Sequence, residues 1–330
     1  MAGTRRIVAN SDPQPKSPEE PTIPLDGGPP PSAPAAETPE PFSEIFSLDP
    51  TSVTDDRLQD IMNRHVTHVV SKSGLHKTHT VLVLHDDHTL ARYAADRIYE
   101  AVVGVDTSRP LLLILNSTGG DVAAAYLIAK LCREHTAASF EVAVPRRAKS
   151  AATLICCGAD RIHMGSLSEL GPIDPQFGGL PALALKHSVE HMAQLVNQYP
   201  AASAMFSDYL SKSLRVEALG YFERVAESAV QYAVRLLGAR KVSPASRNDE
   251  ATARHLVYSY KDHGFVIDSR EACDIFGSEI VATNTKEYTL ASTVFSALDL
   301  AAWVCGRHYA LEFSYVGGLK QGCMVWPKTT

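Results

Sequence analysis

The stretch Leu111-Leu-Leu-Ile-Leu-Asn-Ser-Thr-Gly-Gly-Asp121 decides the fold. Its unbroken apolar run reads as a strand covered on both faces, the condition of a strand inside a parallel sheet. Asn116 to Gly120 then forms a tight turn. Asp121 opens a helix to Glu134, with Ala123, Leu127, Ile128 and Leu131 facing inward. A second stretch, Val142-Ala-Val-Pro-Arg-Arg-Ala-Lys-Ser-Ala-Ala-Thr-Leu154, repeats the strand, turn and helix, with Ser150 at the helix start. A pair of this kind can set a nucleophile beside backbone N–H groups that hold an oxyanion.

Working outward, Thr80 to His85 is a strand, Thr89 to Val103 has helical periodicity, and Arg109 to Leu115 is the next strand. Ser139 to Val144, Ser150 to Cys157 and Arg161 to Met164 continue the alternation. The order implies parallel β-α-β units with right-handed crossovers. Leu170-Gly-Pro-Ile-Asp-Pro-Gln176 interrupts it as a loop fixed by prolines. Residues 181–239 read as mostly helical. Helices at Ala251–Tyr260 and Ser269–Phe276 and a strand at Glu279–Ala282 follow. Near the end, Thr293–Val304 is helix-like and Tyr309–Val316 reads as an edge strand.

Twelve of the twenty prolines fall in residues 1–50, so residues 1–45 are expected to be a disordered, Pro-rich arm. Residues 46–285 are expected to form one α/β domain with a helical extension and 286–330 a C-terminal appendage. The net charge of −6 without a long Lys/Arg run argues against a nucleic-acid partner. Six scattered cysteines without CxxC spacing read as reduced thiols in a reducing compartment. No apolar h-region follows the N-terminus, and no run approaches the ~18 apolar residues of a membrane helix. A cytoplasmic location without membrane contact is therefore expected.

Ser150 is the candidate nucleophile. Ala148, Ala151 and Ala152 leave space for a substrate carbonyl. The plain alternative is that Ser150 only caps its helix. Gly119 and Gly120 allow positive φ and close approach of a ligand, so the N–H groups of Gly120 and Ala151 are the candidate oxyanion hole. Asn116 and Asp121 are placed to hydrogen-bond the turn. For the base, Asp174 sits in the proline-bounded loop and His263 in Tyr260-Lys-Asp-His-Gly-Phe-Val-Ile267. Lys186 and Lys212, on downstream helices, offer a Ser–Lys dyad. The densest histidine cluster is His65, His68, His76, His79, His85 and His88; within it His85-Asp-Asp-His88 offers metal ligands, but the spacing is not that of a helical metal site. No metal or other cofactor is expected.

These motifs resemble the serine dehydrogenase proteinase family, a branch of the Clp protease/crotonase-like fold related to signal peptide peptidase A. The likeness rests on Asn116-Ser-Thr-Gly-Gly120, Val144 to Leu154, Gly158-Ala-Asp-Arg-Ile-His-Met164, Leu170-Gly-Pro-Ile-Asp-Pro-Gln176 and Asp262-His-Gly-Phe-Val-Ile267, followed by Glu271, Ala272 and Gly277. It implies an α/β fold of repeated β-β-α units with a helical extension. It also implies Ser150 as nucleophile, Gly120 and Ala151 as oxyanion donors, and Asp174 and His263 as the other polar members. In the Clp proteolytic subunit the catalytic histidine falls near Asp174 and the aspartate near His263, so the order here becomes Ser, Asp, His. Ala151-Ala152 stands where the family has Gly-Gly, which narrows the pocket. The resemblance implies a serine endopeptidase acting on peptides or proteins as a homo-oligomer. The Pro-rich arm offers a contact for a separate activator protein. Two alternatives stay open: a crotonase-type acyl-CoA enzyme gripping phosphates with Arg146, Arg147 and Lys149, and an inactive assembly protein on the same scaffold.

Overall fold

In the computed structural model the apolar run from Leu111 is a central strand whose two faces feed two different cores. Leu111, Leu113 and Leu115 point into one; Leu112 and Ile114 point into the other. This is why no polar residue interrupts the run. The structure describes residues 41–49, 54–177, 180–213, 216–242 and 248–328. The chain divides at Thr38/Pro39 into two units, and the second, Pro39–Thr330, is the one described below. The arm expected at 1–45 lies, up to residue 40, outside the described residues. Its last part is ordered: Pro41–Phe46 forms a 3-10 turn that buries Ile45.

The elements run α1 (Asp55–Ser73), β1 (Thr80–Asp86), α2 (Arg92–Val102), β2 (Leu111–Ser117), α3 (Val122–Glu134), β3 (Phe140–Ala143), β4 (Arg147–Ala148), α4 (Ala151–Cys157), β5 (Arg161–Met164) and β6 (Glu169–Leu170). Next come β7 (Gln176–Phe177), β8 (Leu180–Pro181), α5 (Ala182–Gln198), α6 (Ser203–Ser213), α7 (Val216–Gly238), α8 (Asp249–Tyr258) and α9 (Ser269–Phe276). The chain closes with β9 (Val281–Thr283), α10 (Lys286–Val304), β10 (Leu311–Gly318) and β11 (Cys323–Pro327).

The sheet order is β11-β10-β1-β2-β3-β5-β9. From β1 to β9 all neighbours are parallel, as the α/β alternation predicts. The short strand β4 extends the line from the end of β2, with Ser117 opposite Ala148, and β6 pairs with β4. Ser150 thus leaves the sheet at the same end as the Gly119-Gly120 turn. Helices α2, α3, α4 and α7 share the first core with residues of α8 and α9; α1 and α10 cover the opposite face.

Residues 286–330 are not an appendage. β10 pairs antiparallel with β1, and α10 buries Leu290, Val294, Leu298 and Ala301 in the second core. Nor is β10 an edge strand, because β11 lies outside it. Helix α10 starts at Lys286, earlier than its apolar run, because the Thr285 hydroxyl accepts from Tyr288 N–H and caps it. The helical stretch Lys286–Tyr309 is also long and apolar enough, by length and composition, to cross a membrane, contrary to the expectation from the sequence. In this structure it lies along the sheet. All six cysteines are free, and five are buried.

Candidate active site

The sheet end just described places Ser150 in an unusual backbone state, at φ 49° and ψ −120°. Few non-glycine residues adopt positive φ, and such strain is typical of positions where geometry serves a reaction. The residue is half-buried and stands at the N-cap of α4, yet its side chain makes no capping bond. The simple capping role is therefore not the one observed. The turn is held by others: Lys149 N–H donates to Ser117 O at 3.0 Å, Ala152 N–H to Lys149 O at 2.8 Å, and the Thr153 hydroxyl to Ala148 O at 2.6 Å.

Opposite Ser150 lies the glycine turn. Gly119 has φ 97°, and a Cβ there would fall 2.6 Å from Lys149 O, 2.9 Å from Ser150 Cβ and 3.0 Å from Ala151 N. Only glycine permits this approach. Gly120 (φ 152°) packs against the backbone of Leu90. Leu90 N–H donates to Gly119 O at 2.8 Å and Asp121 N–H to Leu90 O at 2.7 Å. Because the flanking groups bind Leu90, the N–H of Gly120 itself points to the opposite side of the turn. That N–H and the N–H of Ala151, the first of α4, have no acceptor among the described residues. Two free backbone donors thus stand near one strained serine.

Asn116 is buried where three strand ends meet. Its side-chain oxygen accepts from Arg147 N–H at 3.3 Å, and its amide donates to Asp87 at 3.4 Å. Asp121 caps α3 by accepting from Ala123 N–H at 2.8 Å.

Asp174 and His263, 89 positions apart, are brought together: Nδ1 of His263 lies 2.8 Å from Asp174 Oδ1. Two prolines, Pro172 and Pro175, fix the chain around Asp174, and Ile173 N–H donates to Leu256 O at 3.0 Å. The His263 segment crosses it through two bonds, Leu170 N–H to Ile267 O at 2.9 Å and Ile267 N–H to Leu170 O at 3.1 Å. The carboxylate is almost wholly buried, at 4% exposure; the imidazole side chain keeps 26%. An Nδ1–H donated to the carboxylate leaves Nε2 as the free acceptor, facing away from Asp174. Neither Nε2 nor the Ser150 hydroxyl has a hydrogen-bond partner among the described residues, so the two are not bonded to each other here. Such contacts often tighten only when substrate binds.

The other candidates lie apart. Lys212 is engaged in an exposed ion pair with Asp208 at 2.7 Å. The side chain of Lys186 falls outside the described residues. His85 is buried between Phe295 and Phe313, and burial pushes its imidazole below the usual range. His88 turns the other way, to Asp86 and Glu312, each at 3.0 Å. Asp86 also receives the Tyr93 hydroxyl, and burial, followed by that bond, raises the phenol above its ordinary range. No group of three metal-ligating side chains assembles among the described residues. Two residues of the second motif take roles that the sequence does not suggest: Thr153, which also accepts from Gly171 N–H at 3.0 Å, and Lys149, whose side chain crosses to the Asp174 and His263 segments. Only the adjacency of Lys149 to Ser150 could have pointed to the latter.

Comparison with known proteins gives a partial likeness. Residues 59–205 match the model of the ClpP-like SDH-type serine proteinases. Two uncharacterized proteins of Methanocaldococcus jannaschii are 40% and 34% identical, over 96 and 91 residues, or 29% and 28% of this chain. The chain spans about a third of the length of these relatives, 33% and 31%. Among solved structures, a mutant of the 1510-N membrane-bound stomatin-specific protease aligns at 15% identity and TM-score 0.41, covering 65% of this chain and 85% of that one. A ClpP1 mutant from Listeria monocytogenes aligns at 12% identity and TM-score 0.38, covering 66% and 99%. Over residues 59–205 the chain is thus similar to the ClpP-like, SDH-type serine proteinases.

Proposed function

We propose that this chain is a serine endopeptidase in which Ser150 attacks the scissile carbonyl, His263 Nε2 accepts its proton, and Asp174 holds the imidazole in the required tautomer. The tetrahedral oxyanion is received by the N–H groups of Gly120 and Ala151. Collapse of that intermediate returns the proton from His263 to the leaving amine, and water then hydrolyses the acyl-enzyme by the same steps. The observation that carries this reading is the 2.8 Å contact between His263 and Asp174, formed across 89 positions. The family match supports peptide-bond hydrolysis. The substrate is taken to be a peptide or protein chain, the working form a homo-oligomer, and the compartment, from the free cysteines, a reducing cytoplasm.

The acyl-CoA alternative is weakened by the cations it requires. Arg146 lies over the Phe295 ring and donates to Pro145 O, Arg147 is paired with Asp87 at 2.9 Å, and Lys149 with Glu169 at 3.1 Å. All three are engaged within the chain.

A fluorophosphonate probe tests the proposal. Wild type is expected to be labelled at Ser150, identified by mass spectrometry, and Ser150→Ala not at all. His263→Ala and Asp174→Ala should each be slowed by at least about 10²-fold. Labelling of Ser150→Ala at another residue, or wild-type labelling of His263→Ala, rejects the assignment.

A further inference from the structure

Lys149 is the residue directly before the nucleophile, but its side chain does not stay with it. The ammonium group lies 3.0 Å from Phe265 O, 3.4 Å from Gly264 O, 3.3 Å from Leu170 O and 3.1 Å from a Glu169 carboxylate oxygen. The side chain is 16% exposed. Its aliphatic stem passes over Gly171, where an added Cβ would fall 2.7 Å from Lys149 Cδ. From the turn that carries Ser150, one cation thus touches two further segments: the strand that leads to Asp174 and the two residues that follow His263.

The loop has few other ties at that point. Phe265 and Val266 are 43% and 52% exposed, so apolar burial holds it weakly. Its other contacts include His263 Nδ1 with Asp174 Oδ1 at 2.8 Å, which ties it to the Asp174 side, the Asp262 turn, with Gly264 N–H donating to the side chain at 3.0 Å and Phe265 N–H to Asp262 O at 3.1 Å, and the Tyr260–Phe265 ring contact at 4.8 Å. The turn bonds are internal to the loop. They shape it but do not fix it relative to Ser150. The Leu170–Ile267 bridge anchors the loop four residues after His263, on the Asp174 side. Of the contacts named, only the Lys149 ammonium connects the His263 loop to the Ser150 turn.

We propose that Lys149 is a positioning residue for the proposed catalytic reaction: its ammonium, bound to the Gly264 and Phe265 carbonyls, sets His263 at working distance from Ser150. This rests on His263 being the base. A misplacement of about 1 Å at a reacting centre costs on the order of 10²-fold in rate.

The test combines fluorophosphonate labelling rates across pH with hydrogen exchange of residues 262–267. Lys149→Met is expected to label about 10- to 100-fold more slowly than wild type, with faster exchange confined to that loop. Lys149→Arg, which can still donate to the carbonyls, should recover most of the rate. The double variant Lys149→Met/His263→Ala should be no slower than His263→Ala alone, because the lysine acts only through the histidine. Gly171→Ala, which displaces the stem while keeping the charge, should slow labelling in the same direction. It also preserves the test should Lys149→Met fold poorly. If His263→Ala is slow but Lys149→Met labels within twofold of wild type, the positioning role is overturned while the base assignment stands. A multiplicative loss in the double variant also overturns it. If His263→Ala labels like wild type, the base assignment fails and this proposal with it.

Discussion

Ser150 shows how one residue can be costly for folding and useful for chemistry. Its φ of 49° costs about 1–3 kcal/mol for a residue with a Cβ, and its hydroxyl returns no capping bond. Glycine at this position would relieve the strain while adding about 0.4–1 kcal/mol of chain entropy to the unfolded state, so the strain term wins. Ser150→Gly should therefore melt about 2–4 °C above wild type, whereas Ser150→Ala, which keeps the strain, should melt close to it. Neither should react with the probe. Differential scanning calorimetry decides; a glycine variant melting below the alanine variant would show that the turn is relaxed. The glycines opposite were legible from the sequence because two of them after a buried strand allow positive φ and close backbone approach, although an ordinary strand-to-helix turn would read the same way. Lys149 was not, since residue order does not reveal where a long, flexible side chain ends.

Among the elements, the parallel strands could be read because each is apolar on both faces or bounded by clear turns. The last part of the chain was misread because its signals are local and weak. β11 is five residues ending in Pro327, and β10 alternates only in part, since its buried positions include Ser314. Their role is tertiary: β10 pairs the edge of β1 that faces away from β2, and α10 covers the face formed by Val81, Val83, Leu112 and Ile114. The Asp174–His263 pairing was legible only through the family resemblance and not from spacing, because its geometry depends on the Leu170–Ile267 bridge between distant segments. A chain ending at residue 285 exposes an unpaired edge of β1 and loses half of the second core, so it should not fold cooperatively. Circular dichroism and limited proteolysis of residues 39–285 would measure this. A sharp melt near that of the intact unit would restore the appendage reading.

For the whole molecule, one buried polar network ties the sheet to the helices on its second face. Glu141 on β3 meets His163 on β5 at 3.0 Å, His79 just before β1 at 3.8 Å and the Ser139 hydroxyl at 2.6 Å; His163 in turn meets Thr285 at 3.0 Å and Glu287, on α10, at 3.7 Å. Burial pushes the Glu141 carboxyl upward, but the hydrogen bonds from His163, His79 and Ser139 outweigh it and hold the group far below the usual carboxylate range. A carboxyl depressed by folding contributes stability that is fully present above its unfolded pKa, about 4.3, and is lost as pH falls from there toward the folded value. Glu141→Gln removes that contribution and should cost about 1–3 kcal/mol at pH 7. The difference in melting temperature between wild type and variant should then be largest near neutrality and shrink steadily below about pH 4.3, where the carboxyl of the unfolded chain binds protons while the native one stays ionised. Thermal melts of both proteins from pH 7 to pH 3 give the comparison directly. A gap of constant size over that range would mean that Glu141 contributes through packing, and that acid sensitivity arises from other groups.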